Sequence, residues 1–101
     1  MMWLPILAWV MHISVILAPG KQDITTLPAI QQGTFLLVEV KGEGAGDIDC
    51  YLLHHNVIIS RDERDVNQCT LGYTPRDNDL IKLIVANHGS QTIKYHATAE
   101  Q

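Results

Sequence analysis

The sequence predicts an all-β fold, an antiparallel β-sandwich of jelly-roll type, on three observations. Apolar residues recur with period two in short stretches, as at Val38 and Val40 around Glu39 and at Ile48, Cys50 and Leu52 around Asp49 and Tyr51. β-Branched and aromatic residues concentrate in those stretches, as strands require. Turns rich in Gly, Pro and Asn separate them at regular spacing. There is no internal repeat.

The first 20 residues contain no Asp, Glu, Lys or Arg. Residues 3–18 have the length of a signal-peptide apolar region, and Ala18-Pro19-Gly20 supplies small residues before a cut. The expected division is a signal peptide over residues 1–20, cleaved after Gly20, and a domain over residues 21–101. No Lys or Arg precedes the apolar run, which leaves two other readings. One is an uncleaved anchor, although the run is shorter than the ~20 residues of a comfortable span. The other is a buried strand or helix of the domain itself.

Within the domain, residues 24–27 form a short edge strand that Pro28 ends. A strand over residues 34–41 leads to Gly42-Glu43-Gly44-Ala45-Gly46, a flexible turn. Residues 47–53 and 57–60 pair as a hairpin about His54-His55-Asn56. The alternating charges of Arg61, Asp62, Glu63, Arg64 and Asp65 read as a solvated loop. Cys69, Leu71 and Tyr73 share one face of the next strand. Thr74-Pro75-Arg76-Asp77-Asn78-Asp79 is a turn with Asx chemistry. Residues 80–86, apolar on both faces apart from Lys82, suit a central strand, and residues 92–98 close the domain with Ile93, Tyr95 and Ala97 inward.

Seven basic against eleven acidic residues give a net charge of −4. The basic residues are scattered, which argues against nucleic acid, whose binding needs clustered Lys and Arg. Contact with a membrane is expected only through an uncleaved leader. Cys50 and Cys69 are the only cysteines. Export would place them where disulfides persist, and both fall on apolar strand faces, so a Cys50–Cys69 bond with Cα atoms within about 7 Å is expected. Two buried thiols acting as small hydrophobes are the alternative.

No catalytic residue is assigned. Ser60 and Ser90 lack a nucleophile elbow and an orienting His–carboxylate pair, so the protein is not expected to be an enzyme. Asp47 and Asp49 share a strand face. They become candidate Ca²⁺ ligands if Asp62, Asp65 and Asn67 fold back to complete an oxygen-rich set, and otherwise form a charged edge that deters strand pairing. No other cofactor is implied. His54, His55, His88 and His96 offer imidazole ligands, but His54 and His55 point to opposite faces unless the turn brings them together, and exposed turn histidines are expected. Tyr73 and Tyr95 belong to apolar faces. Tyr51 shares its face with Asp47 and Asp49 and is the candidate surface contact.

Taken in order, Gly42-Glu43-Gly44, Asp47-Ile48-Asp49-Cys50-Tyr51, Cys69-Thr70-Leu71-Gly72-Tyr73-Thr74-Pro75, Val85-Ala86-Asn87-His88-Gly89 and Tyr95 resemble the bacterial pre-peptidase C-terminal domain family. The resemblance covers residues 34–98. It departs at Cys50, where the family usually has Leu, at the His54-His55-Asn56 turn, and at Asn78-Asp79. It implies a β-sandwich of an exported bacterial protein, secreted or periplasmic. The implied role is a noncatalytic binding or accessory module for a protein or carbohydrate at the cell envelope.

Overall fold

A computed structural model describes residues 9–101, and the first eight residues of the expected leader lie outside the described residues. Eight strands follow one another: β1 (Val10–Leu17), β2 (Gln22–Thr26), β3 (Leu36–Gly42), β4 (Ile48–His54), β5 (Val57–Asp62), β6 (Gln68–Tyr73), β7 (Ile81–Asn87) and β8 (Ile93–Glu100). They form two four-stranded sheets in the orders β1-β8-β3-β6 and β2-β7-β4-β5, with the pairs antiparallel. Apart from the β4–β5 hairpin, neighbours in each sheet come from distant parts of the chain, which is the jelly-roll arrangement of two Greek keys.

Period-two alternation builds the core. Leu36, Val38 and Val40 of β3, Ile48, Cys50 and Leu52 of β4, Leu71 of β6, and Ile81, Leu83 and Val85 of β7 are fully or almost fully buried between the sheets. Tyr95 is completely buried, and its hydroxyl crosses to the other sheet to donate to Asp23 Oδ2 at 3.0 Å. Burial first, and then the Asp23 carboxylate, push the Tyr95 hydroxyl far above the usual tyrosine range.

Cys50 and Cys69 form a disulfide with Cα atoms 6.1 Å apart. Because Cys50 lies on β4 and Cys69 on β6, the bond ties one sheet to the other. The same edge of the sandwich is closed by polar side chains. β5 and β6 are the outermost strands of opposite sheets, and β6 amides reach β5 side chains: Thr70 N–H donates to Asp62 Oδ2 at 2.9 Å, and Gly72 N–H to Ser60 Oγ at 3.4 Å. Edge donors that would otherwise template aggregation are thereby occupied. The expected charged loop thus begins later than its composition suggests, since Arg61 and Asp62 belong to β5. Asp62 is buried, and Arg64 clamps it through Nε at 2.8 Å and Nη2 at 2.7 Å. The Arg64 guanidinium first, helped by the Thr70 and Arg64 amides, holds the Asp62 carboxyl down at about 2 against the effect of burial.

The apolar run at the start of the chain enters the fold differently from the leader expected of it. Residues 10–17 form β1, paired with β8 along its whole length from Val10↔Glu100 to Leu17↔Ile93. In the structure this stretch is a strand of the sandwich. Met11, Ile13, Val15 and Leu17 turn toward the core, and His12 and Ser14 turn outward between exposed Val10 and Ile16. Apolar residues at both ends of the outer face disguise the alternation. Among the described residues no helix is long and apolar enough to cross a membrane.

Candidate functional site

The β4–β5 hairpin has a two-residue loop, His55-Asn56, between the paired residues His54 and Val57. Both loop residues have positive φ, 55° and 61°, as a type I′ turn requires. Asn tolerates this readily and His is among the residues enriched there. The tight turn folds His55 back over His54, and the two rings stack with centroids 4.3 Å apart. The sequence-based expectation of two exposed turn histidines is therefore corrected at His54, which is 3% exposed. The reason is periodicity, because His54 continues the inward series Ile48, Cys50, Leu52.

Three elements meet at these rings. His54 Nδ1 lies 3.2 Å from the Tyr73 hydroxyl at the end of β6, and His54 Nε2 lies 2.9 Å from Asp77 Oδ1 in the β6–β7 connection. His55 Nε2 lies 2.7 Å from Asp77 Oδ2, and its Nδ1 lies 3.3 Å from Asp79 Oδ2. The Asp79 amide donates to Asp77 Oδ1 at 2.9 Å and fixes the carboxylate. The His55 hydrogen bond first, with the Asp79 amide behind it, draws the Asp77 carboxyl down to about 2, and Asp77 in turn raises the His55 imidazole. Beside the cluster a shallow cavity of about 250 Å³ is lined by Leu53, His55, Asn56, Asp79, Leu80 and Lys82.

Asp49, Tyr51 and Leu53 lie on the outer face of β4, opposite buried Ile48, Cys50 and Leu52, as alternation requires. Asp47 falls just before the strand. Asp49 Oδ2 pairs with His88 Nε2 at 3.1 Å. Partial burial raises the Asp49 carboxyl, with His88 opposing and Asp47, Glu63 and Asp65 adding repulsion, so four carboxylates share this end of the face. Asp62 is committed to Arg64 and Thr70, while Asp47 Oδ1 and Asn67 Oδ1 are buried without a hydrogen-bond partner. Among the described residues, the set of three His, Cys, Asp or Glu side chains close enough to share a metal ion is His54, His55 and Asp77, and it includes neither Asp47 nor Asp49.

Tyr51 stands in a cross-strand row on the outer face, where Ile24 of β2 faces Ile84 of β7, Ile84 faces Tyr51, and Tyr51 faces Arg61 of β5. Its hydroxyl donates to Glu63 Oε2 at 2.7 Å, and this bond is the first cause of a hydroxyl pushed up to about 12. The row is half apolar and rimmed by charge. Sequence reasoning assigned no role to Asp77, whose partners are distant in sequence, and expected His54 to be exposed, although the period of β4 carried one residue further places it inward.

No family model and none of the curated proteins matches the chain. Among solved structures it is similar to Aeromonas hydrophila PliG, a periplasmic lysozyme inhibitor of g-type lysozyme. The two are 14% identical over 91% of this chain and 86% of that one, with a TM-score of 0.64. It is also similar to a de novo designed double-stranded β-helix, 12% identical over 90% and 99% of the two chains, with a TM-score of 0.55. At these identities the likeness is one of fold, and the described residues form an eight-stranded jelly-roll sandwich with a disulfide between its sheets.

Proposed function

We propose that this chain is a noncatalytic, exported bacterial module that binds a protein partner at the cell envelope through the outer face of the β2-β7-β4-β5 sheet. The observation that carries the reading is the row Ile24, Ile84 and Tyr51, bordered by Asp49 and Glu63. An aromatic and aliphatic strip beside a charged rim has the anatomy of a protein-binding surface. Its carboxylates favour a basic partner, since complementary charge speeds encounter. The fold shared with a periplasmic inhibitor supports both the location and the role, and so does a disulfide that persists in an oxidising compartment. The motif order over residues 34–98 supports kinship with the pre-peptidase C-terminal domains.

Export was expected to remove residues 1–20. A cut after Gly20 would take β1 away from β8, so we infer that Val10–Leu17 stays with the working domain. A Ca²⁺-stabilised module is the second reading, favoured by the unpartnered buried oxygens of Asp47 and Asn67.

A g-type lysozyme is the first partner to test. Surface plasmon resonance with the oxidised chain should show saturable binding that weakens with salt and with Tyr51→Ala. Binding to peptidoglycan fragments but to no protein would make the module a carbohydrate binder. Absence of lysozyme binding would remove that enzyme as the partner.

A further inference from the structure

We propose that His54, His55 and Asp77 form a binding site for one divalent transition-metal ion of the Zn²⁺ or Cu²⁺ class. Two imidazoles and a carboxylate are the donor set such ions take, whereas Ca²⁺ and Mg²⁺ take oxygen. The type I′ turn supplies the geometry. It overlays the two rings so that both Nε2 atoms face one carboxylate, at 2.9 and 2.7 Å from its two oxygens, and all three ligand atoms lie within 4.8 Å of one another.

The surroundings are those of a ligand set rather than of a chance surface pair. The second ring nitrogen of His54 is engaged by the Tyr73 hydroxyl, and Asp77 is oriented by the Asp79 amide, the kind of outer contact that fixes ligating side chains. His54 is buried. The side chains of His55 and Asp77, about half exposed, leave an approach from solvent and room for a fourth ligand, which water supplies.

The two Nε2–Asp77 distances are those of hydrogen bonds. The ion therefore takes the place of the Nε2 protons: each ring binds as a neutral imidazole that carries its proton on Nδ1, a ring protonated on both nitrogens gives up one proton to solvent, and His55 and Asp77 move apart to admit the ion. Once bound, it joins the β4–β5 hairpin to the β6–β7 connection, a link between the two sheets at the end of the sandwich where Val57 and Leu80 are exposed.

Isothermal titration of ZnCl₂ and CuCl₂ into the full-length oxidised protein, with CaCl₂ as control, tests this. The expected result is one ion bound per chain, proton release, and a raised melting midpoint with Zn²⁺ or Cu²⁺ and not with Ca²⁺. His55→Ala and Asp77→Asn, which alter half-exposed side chains, should each weaken binding more than about tenfold, the least that disturbing even an outer contact costs. His12→Ala, on the outer face of β1, should bind as the wild type does. The proposal is overturned if the wild type binds neither ion, or if His55→Ala and Asp77→Asn, folded by circular dichroism, bind with unchanged affinity.

Discussion

Asn87 donates from its side-chain Nδ2 to the carbonyl of Leu17 at 3.0 Å, joining the end of β7 to the end of β1. The same buried amide donates to Gln91 O at 2.8 Å and accepts from Gly89 N at 2.9 Å, while its backbone exchanges bonds with Gly20 and Lys21. The apolar start of the chain is thus held by a fully satisfied polar side chain. Asn87→Ala should destabilise the protein by about 2 kcal/mol, because it leaves the buried Leu17 carbonyl without that partner and removes the bonds to Gln91 O and Gly89 N. Urea unfolding measures the loss. Intact mass of the exported protein should show Val10–Leu17 retained, and a mature chain beginning at Lys21 would show that the domain works without β1.

The bond between Cys50 and Cys69 should contribute on the order of 3 kcal/mol, the amount expected from closing a loop of this length in the unfolded chain. Replacing both by Ala should lower the urea midpoint and raise the slope, because the unfolded chain without its cross-link is more expanded. Labelling of the envelope-derived protein by a thiol reagent before reduction would show that the bond does not form there.

Stability should depend on pH at both ends of the range. Asp62 and Asp77 have folded-state values of about 2 against an ordinary 3.8. Their contribution is complete above about pH 4 and is lost as pH falls toward 2. His55, raised above its ordinary 6.5, contributes in the opposite sense. That contribution is complete below 6.5 and is lost as pH rises through the raised value. Thermal melts from about pH 2 to about pH 9 should therefore fall away at both ends. Asp77→Asn should flatten the alkaline side, and an unchanged alkaline slope would contradict the His55–Asp77 pairing.

Substituting Asp47 and Asp49 together by Ala should leave the sandwich folded, with each change within about 0.5 kcal/mol, as for most surface positions. The Asp49 pair with half-exposed His88 is worth little, and Asp47 loses an oxygen that has no partner. If the Ca²⁺ reading holds, the wild type melts higher with Ca²⁺ than with chelator and the double variant does not. A wild type indifferent to Ca²⁺ removes that reading.

Strand order along the chain, the faces of β4 and the Cys50–Cys69 bond were legible because period two and turn chemistry are local signals. The rest depends on partners far away in sequence. β1 pairs with β8, so nothing beside Ile13 and Val15 announces that Ala97 and Tyr95 wait opposite them. Asp62 sits in a run of charges that includes its partner Arg64, but its other partner, the amide of Thr70, arrives from β6. His54 was readable in part: the β4 alternation places it inward, but the Asp77 that satisfies it arrives from another turn.

The central claim, that the outer face around Tyr51 engages a protein, is tested most directly by a photo-crosslinking aromatic residue placed at position 51 of the exported chain and activated in living cells. The account predicts a discrete protein adduct from position 51 and none from position 12, which faces out from the opposite sheet. Equal labelling from both positions, or no adduct from position 51, would contradict it.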